Sequence, residues 1–171
     1  MTRDLRPDDL RFLDPLTPEQ ITHAASLHAR LRAHRGEWGH WEGGKPSPDG
    51  GTTAYYVVLA PIAQQAYDWL IDSGVLPVFD WVAWSAKRDL VRGNVSGLAP
   101  DVARALLTTL VLQHRSSDGS LLGAFRHGII TELLGVLGTH PEVARAMVRA
   151  DEAPETHAAP EAREARVLEP I

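Results

Sequence analysis

The chain has 171 residues, 44% of them hydrophobic, and a formal net charge of −5, which suits one domain with a sizeable core. It has no cysteine, so a disulfide framework, thiolate zinc ligation and cysteine nucleophiles are excluded. The mild acidity argues against bulk nucleic acid or an anionic membrane as partner, but −4 of the charge falls within Asp151–Ile171, leaving a nearly neutral folded part with room for a local basic patch.

Residues 1–16 are rich in charge and proline and are expected to lie over the surface. Thr17-Pro18-Glu19-Gln20 then predicts a helix start, with a Thr N-cap, Pro at the first helical position and Gln closing a capping box. Ile21, Ala24, Ala25, Leu27, His28 and Leu31 follow at helical spacing, and Gly36 is the expected stop. An aromatic segment, Trp38-Gly39-His40-Trp41, leads into a Gly-, Pro- and Ser-rich stretch, 42–53, read as a flexible loop. Tyr55–Leu59 is β-branched and aromatic and predicts one short strand.

Pro61 restarts helix, with Ile62, Ala66, Trp69 and Leu70 on one face and Gly74 as a left-handed cap. Asp80 is the N-cap expected for a helix to about Val91, with Phe79 and Trp84 as its hydrophobic staple. Pro100 opens another helix carrying Val102, Leu106, Thr109, Leu110 and Gln113. Ser117 or Asp118 can cap a short helix ending at Gly128, and helices at Ile129–Leu137 and Pro141–Arg149 complete the set. After Ala150 large apolar residues become scarce, so 151–171 is expected to be a disordered acidic tail.

The expected architecture is therefore all-α or nearly so, a compact orthogonal bundle of about six helices with one short strand at 55–59. The domain spans 17–150. Its predicted core is Leu27, Leu31, Trp69, Leu70, Phe79, Trp81, Trp84, Leu106, Leu107, Leu110, Leu121, Phe125, Ile129 and Leu133.

Four groups carry potential chemistry. His23, His28 and His34 share a helix, but spacings of five and six do not stack on one face as a helical metal pair must. They read as structural, and no metal or cofactor is expected. Trp38 and Trp41, beside the glycine-rich loop, are either packing residues or the rim of a binding surface. The loop glycines lack the Gly-Lys-Ser/Thr that a phosphate loop requires. His114, Arg115 and Asp118 cluster at a helix junction, with Arg126 and His127 one short helix later. They suit acid–base or phosphate chemistry, or else helix-end complementation and capping.

On these residues the stretch 60–137 resembles a family of bacterial domains of unknown function marked by Phe-Asp-Trp-x-x-Trp. Phe79, Asp80, Trp81 and Trp84 supply that element; Leu106, Leu107 and Thr108 a second; Arg115, Asp118 and Gly119 a third; Gly128 the last. The third element in such domains is similar to the Arg-x(4–6)-His pair of helical ribonucleases in toxin and defence systems. In this chain Arg115 is kept but the histidine position is Ser120, and a serine hydroxyl cannot serve as a base near neutral pH.

The reading favoured by these residues is a non-enzymatic interaction or regulatory module of the bacterial cytoplasm, with a protein as the partner class and Trp38, Trp41, Arg126 and His127 as binding candidates. The rival is a ribonuclease-like or other hydrolase, in a degenerate form, acting through Arg115 and a nearby histidine. No apolar run reaches the roughly 18 residues that span a bilayer, and the charged start MTRDLRPDDL lacks a signal-peptide core.

Overall fold

The structure, a computed structural model, describes residues 14–84, 87–114 and 119–139. The expected helix at Pro141–Arg149, the acidic tail and most of the N-terminal segment lie outside the described residues. The described residues form six α-helices, a single 3₁₀ turn and a two-stranded sheet, a mostly helical fold.

Helix α1 runs from Pro18 to Ala33. Its start is the expected capping box: Gln20 N donates to Thr17 Oγ1 at 3.2 Å and Thr17 N to Gln20 Oε1 at 2.9 Å. The helix stops before Gly36, because His34 is already extended. Ile21, Ala24, Leu27 and Leu31 are buried.

Strands β1 (Gly39–Glu42) and β2 (Tyr56–Leu59) pair antiparallel, from Gly39 opposite Leu59 to Glu42 opposite Tyr56. The expected lone strand thus has a partner in the aromatic segment. Pairing extends past the strands, with Thr53 N donating to Lys45 O at 3.0 Å and a further bridge between Pro46 and Thr52. Gly39 and Leu59 are buried and Val57 packs on the core, while His40 and Tyr56 face solvent.

Helix α2 (Pro61–Asp72) buries Ala63, Ala66 and Leu70 and is followed by Gly74 at φ +71°, the left-handed conformation that glycine adopts without steric cost. The helix expected from Asp80 to Val91 does not form as one piece. Its local signals are present: Asp80 Oδ1 accepts from Ala83 N at 3.2 Å, and the Phe79 and Trp84 rings meet edge-on at 5.7 Å. However, 81–83 is a turn, and helix α3 covers Lys87–Arg92 among the described residues. The carbonyls of Trp81 and Val82, which a continuous helix would commit to its own ladder, accept from Lys87 Nζ at 3.1 and 3.0 Å.

The 3₁₀ turn Val95–Gly97 leads into α4 (Pro100–His114), buried without interruption from Ala103 to Val111. Such a helix lies at the centre of the domain, and α4 contacts α2, α3, α5 and α6. Helices α5 (Ser120–Arg126) and α6 (Ile129–Gly138) meet at 71°. No single helix among the described residues is long and apolar enough to cross a membrane.

The largest helix–helix interface is α1 on α6. Gly135 lies against the His28 ring and Gly138 against the Ala25 backbone. His28 Nδ1 is 2.8 Å from the Thr131 carbonyl; a carbonyl only accepts, so this nitrogen carries the proton.

Ten of the expected core residues are buried. The other four (Trp69, Phe79, Trp81 and Ile129) are half-buried. Trp69 is covered by His23, stacked at 5.1 Å and 9°, and Trp81 lies beneath Lys87 Nζ, 5.4 Å from its ring centre.

Candidate functional site

The junction between α4 and α5 carries the residues expected to do chemistry. Arg115 and Asp118 lie outside the described residues. His114, the last residue of α4, turns its ring edge-on to Tyr67 at 5.6 Å, and its Nδ1 is buried with no hydrogen-bond partner. Ser120 Oγ, at the first turn of α5, is also buried and unpartnered. A buried polar atom without a partner costs about 1–3 kcal/mol, and Thr131 Oγ1 on α6 is a third atom of this kind.

The binding candidates separate. Trp38 is half-buried between His34, at 4.7 Å, and Phe125, stacked at 5.7 Å. Arg126 Nη2 donates to Gly39 O at 3.3 Å, tying α5 to the hairpin. His127 Nδ1 donates to Gly123 O at 2.8 Å and lines a cavity of about 430 Å³ with Val91, Val95 and Glu132.

Trp41 is 47% exposed, with its indole over Gly119. Gly119 has φ +90°, and a Cβ there would lie 2.5 Å from Trp41 Cζ2. Gly119→Ala combines a disfavoured backbone with a collision, and the expected cost is about 1–3 kcal/mol. Urea denaturation followed by tryptophan fluorescence measures it, and an unchanged midpoint would refute the contact.

On the hairpin's solvent face Glu42 accepts from Tyr56 Oη at 2.8 Å and from His40 Nε2 at 3.0 Å. The Tyr56 bond, then that of His40, holds the carboxyl below the usual carboxylate range, and the same bond raises the Tyr56 phenol. Among the described residues no three His, Asp or Glu side chains are grouped closely enough to hold a metal ion.

Between α3 and α4 lies a cavity of about 630 Å³ that motif reading missed. Lys87, Arg88, Val91 and Arg92 come from α3, Thr109, Leu110 and Gln113 from α4, and Trp81 and Ser120 also line it. Among the described residues no carboxylate lines it. Arg88 and Arg92 stand four residues apart on one helical face, where like charges repel. Both are exposed, and neither makes an ion pair or hydrogen bond among the described residues. The available signal was Lys87-Arg88-x-x-x-Arg92, hidden by assigning these residues to the far end of the Asp80-capped helix.

No curated protein and no solved structure matches the chain. A family model does match, across residues 16–139, from α1 through α6 and well beyond the stretch in which the sequence motifs lie. Over that span, which holds both the basic cavity and the α4–α5 junction, the chain belongs to the family of unknown function DUF6508.

Proposed function

We propose that the protein is a non-enzymatic interaction or regulatory module of the bacterial cytoplasm that binds an anionic ligand between α3 and α4. The observation that carries this is the cavity of about 630 Å³ with Lys87, Arg88 and Arg92 in its lining and, among the described residues, no acid. Cations held side by side without a counter-ion repel one another, and an anion placed among them relieves that repulsion. Ser120 belongs to the same lining, and its hydroxyl is of the type that donates to an oxyanion.

The test is titration of the full chain with inorganic phosphate at low ionic strength, followed by amide chemical shifts. The double substitution Arg88→Glu/Arg92→Glu is expected to weaken binding at least about tenfold and to abolish its salt dependence. Helix α3 has no buried residue, so the double variant keeps its melting temperature. Equal binding by parent and variant would defeat the proposal.

One observation favours the rival hydrolase: the buried, unpartnered Nδ1 of His114, adjacent in sequence to Arg115. Cleavage of RNA by the parent chain, lost in a folded Arg115→Ala variant, would replace the binding reading with that one.

A further inference from the structure

The shape of the basic cavity says more than its charge. A tetrahedral oxyanion fills only a small part of about 630 Å³, and Trp81, Val91 and Leu110 give the remainder an apolar lining. Trp81 also lines a second opening of about 320 Å³, formed by Ile71, Val78, Phe79 and Leu112 among others, with no charged side chain among the described residues of its lining. The two openings run side by side along α4: Thr109 and Gln113 line the first, Thr108 and Leu112 the second.

The turn that carries Trp81 is unusual in what it leaves to solvent. Val78 is fully exposed and Val82 is 66% exposed, on either side of a half-buried tryptophan. Isolated exposed valines mean little. Here, though, Val78 lines an apolar slot that adjoins a cationic one with no acid among the described residues of its lining.

Resting on the anion-binding reading above, we propose that the ligand is an amphiphilic organic anion, a phosphate or carboxylate head on an aliphatic chain. The head lies among Lys87, Arg88 and Arg92, and the chain passes Trp81 into the slot at Val78 and Leu112. Charge complementarity selects the head, and removal of apolar surface from water selects the tail. The same headgroup chemistry occurs on a free amphiphile and on a membrane surface; a free molecule is the occupant proposed, because the two adjoining openings provide for both its head and its tail.

The experiment is isothermal titration of the full chain with methyl, hexyl and decyl phosphate, each kept monomeric. Affinity is expected to rise about three- to fourfold per buried methylene until the slot is filled. Val78→Ser/Leu112→Ser should flatten that series, and the series on the parent chain stands as a test even if this variant unfolds. A flat series on the parent, with methyl phosphate binding still lost in Arg88→Glu/Arg92→Glu, would overturn the amphiphile while leaving the anion site intact. Indifference of all three phosphates to Arg88→Glu/Arg92→Glu would overturn both. Binding to vesicles of anionic phospholipid but not to monomeric decyl phosphate would overturn the free ligand in favour of a surface.

Discussion

Arg104→Met is expected to cost about 2–4 kcal/mol, lowering the melting temperature by roughly 5–15 °C. Arg104 is only 6% exposed and lies within the buried stretch of α4. Its Nε donates to Val75 O at 2.8 Å and its Nη1 to Asp14 O at 2.7 Å, with Asp101 at 3.9 Å. Burial pulls the guanidinium pKa below its ordinary value, and the charges of Asp101 and Asp14 oppose that shift. Replacing a whole buried ion network with apolar groups can be neutral. Here only one side is removed, and the Val75 and Asp14 carbonyls are left without donors. Lysine has no planar fork to reach both carbonyls, so Arg104→Lys should fall between parent and Met. Differential scanning calorimetry reads the difference; a shift under about 2 °C for the Met variant would show that α4 does not depend on this side chain.

The second large effect lies at the α1–α6 interface. A Cβ on Gly138 would stand 2.7 Å from Ala25 Cα and 2.8 Å from Ala25 N, backbone atoms that move only if a helix moves. Gly138→Ala is therefore expected to destabilise by about 1–3 kcal/mol, despite the better helix propensity of alanine. Gly123 is the internal control. It sits within α5, and a Cβ there would meet nothing within 4 Å, so Gly123→Ala should stabilise by about 0.5–1 kcal/mol. Opposite signs for the two substitutions in urea denaturation would establish close approach, rather than glycine content, as the cause. The same sign for both would contradict the packing.

The chemistry of the site was less legible than its scaffold. His114 and the binding candidates were recognisable from residue type, yet type could not say that Trp38 packs on Phe125 while Trp41 overhangs Gly119. Those outcomes depend on the hairpin, whose first strand carries no period-two apolar pattern and forms because Tyr56–Leu59 lies opposite it. The basic cavity was hidden for a related reason. Arg88 and Arg92 are an ordinary solvated pair on a helix considered alone; only where α3 meets α4 do they face Gln113 and Ser120 across a common space.

What the sequence determined unaided was local. The Thr17–Gln20 capping box, the Pro61 start and Gly74 end of α2, and the Pro100 start of α4 each depend on a few neighbouring residues whose hydrogen bonds or dihedrals admit one good solution. Apolar spacing likewise selected most of the core, because burial follows helical period. Tertiary structure decided what local signals could not. The Asp80 cap and the Phe79–Trp84 staple both form, yet 81–83 is a turn, and Lys87 Nζ donates to the Trp81 and Val82 carbonyls. The same lysine then lines the basic cavity beside Arg88 and Arg92. That cavity arises from side chains of α3 and α4 meeting across a common space, and no short window of sequence contains both.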